Sequence, residues 1–108
     1  MNRILLAAAL ALASAPGAMA QMAGGSPVVV ELYTSQGCSS CPPADAVLGS
    51  LAEREDVIAL ALHVDYWDYI GWADGFADRA YSMRQRAYVK AAGASSVYTP
   101  QMIVNGTD

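Results

Sequence analysis

The two cysteines of this chain, Cys38 and Cys41, have the C-x-x-C spacing that both thiol–disulfide exchange and metal binding use. Because the chain contains no other cysteine, a disulfide can form only between these two. The loop that it would close is very short, so the disulfide would restrict the unfolded chain very little. The spacing therefore favours a redox-active pair, with metal binding and a purely structural disulfide as the alternatives.

A helix is predicted to start at Ser39, directly after the first cysteine. Its apolar stripe recurs with helical spacing, at Ala44, Val47, Leu48, Leu51 and Ala52. Cys38 would then lie at the helix N-terminus, where unpaired N–H groups and the helix dipole lower a thiol pKa. We expect an exposed Cys38 thiolate to be the nucleophile. Cys41, one turn deeper, would resolve the mixed disulfide.

Two predicted strands flank this helix, Val28–Tyr33 and Val57–Val64. Both are almost continuously apolar, which is typical of strands that are buried on both faces. With the helix between them and short links, they form a βαβ unit, so the two strands should pair in parallel. The sequence thus predicts an α/β domain.

A second helix and a third strand follow. The helix is predicted from Asp78, its N-cap, to about Ala92, with Gly93 as the stop. Its apolar residues share one face, at Ala80, Met83, Ala87 and Ala91. The strand Gln101–Val104 ends in Asn105-Gly106, which is a strong hairpin signal. Since only two residues follow, we expect the chain to be an N-terminal fragment of a longer protein.

Residues 1–20 have the features of a secretory signal peptide. A positive charge precedes an apolar run too short to span a bilayer, and Ala18-Met19-Ala20 matches a cleavage site. Cleavage is predicted after Ala20, with an uncleaved membrane anchor as the alternative. Residues 21–27 would be a linker and residues 28–108 the domain. The mature protein would be periplasmic or secreted and free of the membrane, where a disulfide persists.

The charge of the mature chain excludes one class of partner. Without Arg3, five Lys and Arg face ten Asp and Glu, which leaves a formal charge of −5. The sequence contains no basic cluster of the kind that binds a phosphate backbone. Nucleic-acid binding is therefore not expected.

Three stretches resemble a family of exported bacterial proteins within the thioredoxin superfamily, catalogued as domain of unknown function 1223. These stretches are Val30–Asp45 around the cysteines, His63–Tyr69, and Val97–Gly106. The resemblance implies a thioredoxin-like βαβ–αβ core that ends here before the closing hairpin strand and the last helix. The resemblance specifies the fold more closely than the function, because the activity of the family is unsettled.

The resemblance also implies supporting roles around the dithiol. Thr99-Pro100 matches the place of a cis-proline that packs against the cysteines, where the backbone of Thr99 can pair with a substrate peptide. Glu31 corresponds to a buried acid of raised pKa that takes the proton of the resolving cysteine, although it could instead face solvent. The implied activity needs no cofactor. Its partners would be protein thiols or disulfides and an unidentified redox partner.

His63 is the only histidine. Strand alternation puts it on the same side as Asp65, so we expect these two side chains to form a pair. A less favoured alternative joins it with Cys38 and Cys41 as a copper or zinc site of a carrier protein. The aromatic segment Tyr66–Trp72 would be either a small core or a peptide-binding wall. The predicted function is an extracytoplasmic thiol–disulfide oxidoreductase, with the metal carrier and a non-catalytic binding module as alternatives.

Overall fold

The computed structural model describes residues 25–107, so the predicted signal peptide and most of the linker lie outside the described residues. These residues form a three-stranded sheet with two α-helices and a short 3₁₀ turn at Asp68–Ile70. In chain order the elements are β1 (Val28–Thr34), α1 (Cys41–Leu51), β2 (Val57–His63), α2 (Arg79–Ala91) and β3 (Gln101–Val104).

The central strand of the sheet is β1, and the strand order is β2-β1-β3. β1 and β2 run in parallel from the pair Val28–Val57 to the pair Thr34–His63. β3 runs antiparallel to β1, with Tyr33 opposite Gln101. The parallel βαβ unit is therefore confirmed, and the α/β architecture is compatible with the predicted thioredoxin-like core.

The expected burial of β2 on both faces is wrong. In the sheet of residues 25–107 this strand has one neighbour, and Ile58 and Leu60 are exposed on the face opposite α1. A continuous apolar run is typical of a buried strand, but it does not show which elements cover each face. The strand type was predictable and its position at the sheet edge was not.

The two faces of β1 belong to two apolar clusters, because successive side chains of a strand point to opposite sides. Val30 and Leu32 pack against Leu48 of α1 on one face. Tyr33 packs with Val64 and Ile103 on the other face, where partly buried aromatic residues extend the cluster: Tyr66, Trp67 and Tyr88. The second face is also the one that α2 contacts.

The predicted bounds of α2 are confirmed within a residue. The Asp78 carboxylate caps the helix by accepting a hydrogen bond of 2.8 Å from the N–H of Ala80. Gly93 follows the helix with φ +76°, a left-handed conformation that glycine adopts without strain.

The predicted apolar face of α2 is wrong as a packing face. Met83 and the three alanines of that face are exposed, whereas the buried residues are Ser82, Gln85 and Val89. The two polar ones are hydrogen-bonded: the Ser82 hydroxyl donates to Asp65 at 2.6 Å, and the Gln85 amide donates to Gln101 at 2.9 Å. Paired polar groups are tolerated in a core, so apolar spacing alone did not identify the buried side.

The Asn105-Gly106 turn after β3 is present as predicted. Both residues have positive φ, at 51° and 80°, and Val104 and Thr107 exchange two backbone hydrogen bonds across the turn. The Asn105 side chain also accepts a hydrogen bond of 2.9 Å from the N–H of Val29, which fixes the turn against β1. In residues 25–107 no helix is long and apolar enough to cross a bilayer.

Candidate redox site

Cys38 and Cys41 form a disulfide, with Cα atoms 5.4 Å apart. The loop that carries them leaves β1 and enters α1 through two tight turns. The N–H of Cys38 donates to the carbonyl oxygen of Ser35 at 3.2 Å, and that of Cys41 donates to the carbonyl oxygen of Cys38 at 3.3 Å. We call residues 35–40 together with Cys41 the dithiol loop.

The two cysteines differ in their exposure to solvent. Cys38 is 6% exposed and Cys41 is fully buried. The expected order of exposure is confirmed, but the expectation of a freely exposed Cys38 sulfur is wrong. The helix also begins later than predicted, at Cys41 with Ser40 as N-cap, so Cys38 precedes its first residue by three positions. Of the two residues, Cys38 alone retains any solvent-accessible surface.

Asp74 fixes the dithiol loop from outside. Its side chain is 1% exposed, and its Oδ2 atom accepts hydrogen bonds from the N–H of Gln36 at 2.9 Å and contacts Nδ1 of His63 at 2.6 Å. Its Oδ1 atom accepts a hydrogen bond from the N–H of Phe76. Burial alone would raise the pKa of this carboxyl, but these bonds outweigh it and the pKa is lowered. Sequence reasoning missed Asp74, because nothing in its local pattern shows that it meets a loop 38 residues away.

His63 therefore pairs with Asp74, and the predicted pair with Asp65 is wrong. Asp65 instead accepts a hydrogen bond from the Ser82 hydroxyl of α2. β2 ends at His63, so the alternation used to place Asp65 does not continue beyond it. Across residues 25–107, no three His, Cys, Asp or Glu side chains are grouped so that they could hold a metal ion. His63 is thus not brought into a ligand set with the two cysteines.

Thr99 and Pro100 lie at the dithiol end of the sheet. The peptide bond between them is cis, as expected from the resemblance. Since Gln101 is opposite Tyr33, Pro100 continues the antiparallel pair toward the end of β1 from which the dithiol loop leaves. The indole N–H of Trp67 donates to the Thr99 hydroxyl at 2.8 Å, which ties this segment to the aromatic one.

Glu31 is buried, at 2% exposure, but its partners lie on α2. Its carboxylate accepts hydrogen bonds from Arg84 at 2.6 Å, from the Tyr88 hydroxyl at 2.6 Å and from the Tyr33 hydroxyl at 2.8 Å. Burial raises its pKa, but the three donors outweigh burial and the pKa is lowered. The expected raised pKa is therefore wrong. Because α1 packs on the other face of β1, Glu31 does not fit the predicted role as proton acceptor for Cys41.

The aromatic segment is partly core and partly surface, and its predicted alternative role as a peptide-binding wall stays a prediction. Tyr66 and Trp67 are partly buried against the second cluster, so core packing is confirmed for them. Tyr69, Trp72 and Phe76 are exposed. The indole N–H of Trp72 donates to the side-chain oxygen of Gln36 at 2.8 Å, which places its ring beside the dithiol loop.

Fold and site together define an α/β protein with a disulfide where its first helix begins, a cis-proline before its third strand, and an aromatic segment that contacts the dithiol loop. Residues 29–108 match the family described as "Protein of unknown function (DUF1223)", and the chain belongs to this family. The crystal structure of a protein from Agrobacterium tumefaciens, a structural-genomics target, is similar, with 51% sequence identity and a TM-score of 0.73. The match covers 78% of this chain and 38% of that one, so the chain spans less than two fifths of that protein. Comparison with curated proteins gives no match.

Proposed function

We propose that this protein is an extracytoplasmic thiol–disulfide oxidoreductase with a thioredoxin-like fold, and that Cys38 is the sulfur that exchanges with partners. The observation that carries the proposal is the Cys38–Cys41 disulfide at the start of α1, in which only Cys38 has exposed surface. A disulfide between residues three apart adds little stability, so its presence calls for a chemical explanation. The extracytoplasmic location rests on the predicted signal peptide.

The exchange reaction follows from this asymmetry. A partner thiolate attacks the sulfur of Cys38, the Cys38–Cys41 bond breaks, and Cys41 leaves as a thiolate. A second partner thiol then attacks the partner's sulfur in the mixed disulfide, which yields a partner disulfide and a Cys38 thiolate. Two electrons pass from the partner to the protein. The reverse sequence reduces a partner disulfide, and relative reduction potentials set the direction.

Thr99 and Pro100 support this proposal by their place in the sheet. Proline has no N–H, so it cannot extend the backbone pairing toward the dithiol loop, whereas the backbone of Thr99 retains both a donor and an acceptor. An extended partner segment would pair with Thr99 while its cysteine reaches Cys38. Thr99 is held in place for this role by its bond with Trp67.

Exchange with a model disulfide tests the proposal. The wild-type protein should catalyse reduction of a protein disulfide by dithiothreitol, Cys38→Ser should abolish the activity, and Cys41→Ser should accumulate mixed disulfides at Cys38. Ser39→Ala, which changes an exposed residue between the cysteines, is the matched control and should remain active.

Full and equal turnover in both cysteine variants would contradict the proposal. If the wild-type protein is inactive and instead takes up one copper or zinc ion that either cysteine substitution eliminates, the carrier alternative replaces it. Inactivity without metal uptake leaves the binding module.

A further inference from the structure

Three aromatic side chains in the segment that contacts the dithiol loop through Trp72 are exposed to solvent: Tyr69 is 79% exposed, Trp72 is 61% exposed and Phe76 is 69% exposed. They occur within eight residues, and we call them the aromatic surface. Two of the side chains have defined contacts: the Trp72 indole donates to Gln36, and the Phe76 ring lies with its centroid 5.5 Å from that of the His63 ring. Large apolar groups exposed close together mark an interaction surface more often than a solvated one.

The aromatic surface belongs to an acidic stretch. Residues 65–78 contain no lysine or arginine, and they include four aspartates, at positions 65, 68, 74 and 78. Asp74 is buried and Arg79 follows the stretch directly, so the negative charge near its surface comes from Asp65, Asp68 and Asp78. Such a surface attracts cations and repels anions. The faces of Trp and Tyr rings also attract ammonium and guanidinium groups. Both effects favour a partner that carries ammonium or guanidinium groups.

We propose that the aromatic surface binds the exchange partner of Cys38, and that this partner is a polypeptide with arginine or lysine side chains next to its reactive cysteine. The inference rests on the proposed function, whose partner class it names. The geometry supports it because Gln36, which bonds Trp72, lies two residues before Cys38. A side chain that flanks the partner's cysteine would then meet the Trp72 ring when the sulfurs react.

Three model disulfides test the charge preference. Each is the symmetrical dimer of a short peptide whose one cysteine is flanked by arginine, by glutamine or by glutamate. The reduced protein attacks the disulfide through Cys38 and releases one peptide thiolate. Cys41 then closes the protein disulfide and releases the second thiolate. The rate constant for each peptide is divided by its rate constant with dithiothreitol, which removes the effect of flanking charge on intrinsic reactivity.

At low ionic strength we expect the arginine peptide to react about tenfold faster than the glutamine peptide on this normalised scale, and the glutamate peptide to react slowest. Added salt should reduce the preference. Tyr69→Ala and Trp72→Ala should each reduce the ratio of arginine to glutamine rates about two- to fivefold. Met83→Ala removes another exposed apolar side chain, which lies on α2, and should leave the ratio unchanged.

The reaction with the small neutral bis(2-hydroxyethyl) disulfide separates the two proposals. If the protein reacts with this compound but treats the three peptides alike, the inference is wrong and the proposed function stands. If it reacts with none of the four compounds, the proposed function fails and the inference fails with it. A preference that Tyr69→Ala and Trp72→Ala both leave intact would also overturn the inference, because the charge effect would then arise elsewhere.

Discussion

Two buried carboxylates, Glu31 and Asp74, keep their charge because hydrogen-bond donors surround them. Glu31 accepts from one arginine and two tyrosines, and Asp74 accepts from two backbone N–H groups beside His63. In each case burial raises the pKa and the hydrogen bonds lower it by a larger amount, so the folded pKa lies below its ordinary value of 4.5 for Glu31 and 3.8 for Asp74. Ionised carboxylates therefore stabilise the fold.

The pH dependence of stability follows from these two groups. A folded pKa below the unfolded one gives stability that is complete above the unfolded value and is lost as pH falls through the folded value. We expect the free energy of unfolding in urea to decline below about pH 4. Glu31→Gln should lower stability at pH 7 and make the acid decline shallower. The exposed Glu53→Gln variant should leave the decline as steep as in the wild type, and an unchanged decline in Glu31→Gln would contradict this account.

The hydrogen bond from the Gln36 N–H to the Asp74 carboxylate can be tested by amide hydrogen exchange. In Asp74→Ala the N–H of Gln36 loses its acceptor, so its hydrogen exchange measured by NMR should become faster. Asp65→Ala is the matched control, because Asp65 bonds Ser82 of α2 and does not contact the loop. Equal exchange of the Gln36 N–H in both variants would show that Asp74 does not hold the loop.

Among the helices and strands, the packing of α1 on the sheet determines where the dithiol lies. Leu48 is buried against Val30 and Leu32, whereas its neighbour Val47 is exposed on the same helix. Leu48→Ala should destabilise the protein by about 2–5 kcal/mol, because it removes buried methyl groups and leaves a cavity. Val47→Ala should cost no more than about 0.5 kcal/mol. Chemical denaturation of both variants checks this, and similar losses would contradict the observed packing of α1.

Element types and order could be predicted from the sequence, because hydrophobic periodicity and capping residues act locally. The parallel βαβ unit, the Asp78 cap and the turn at Asn105 were all accessible in this way. The buried side of α2 was not, since Ser82 and Gln85 are buried through hydrogen bonds to residues distant in the chain.

The candidate site was likewise predictable where local sequence patterns determine it, and not where packing between distant segments does. The spacing of Cys38 and Cys41 identified the disulfide, and the resemblance identified the cis bond before Pro100. The surroundings of Glu31 and His63 were wrong, because both depend on which face of the sheet each helix and loop covers. A local pattern does not contain that information.

The exposure of the Cys38–Cys41 disulfide depends on the fold of residues 25–107 as a whole. The aromatic segment contacts the dithiol loop through Trp72 and Gln36 and the cis-proline segment through Trp67 and Thr99, while Cys38 is 6% exposed and Cys41 is fully buried. The fold buries Cys41, and the acidic and aromatic stretch is the surface that we propose for basic partners.

The most direct test compares Cys38→Ser and Cys41→Ser in their reaction with oxidised glutathione, in the folded state and in concentrated urea. Mass spectrometry counts the mixed disulfide formed by the one remaining cysteine. We predict that folded Cys41→Ser is modified at Cys38 and folded Cys38→Ser is not modified, while in urea both variants react alike. Modification of Cys41 in the folded state as fast as that of Cys38 would contradict the assignment of Cys38 as the exchanging sulfur.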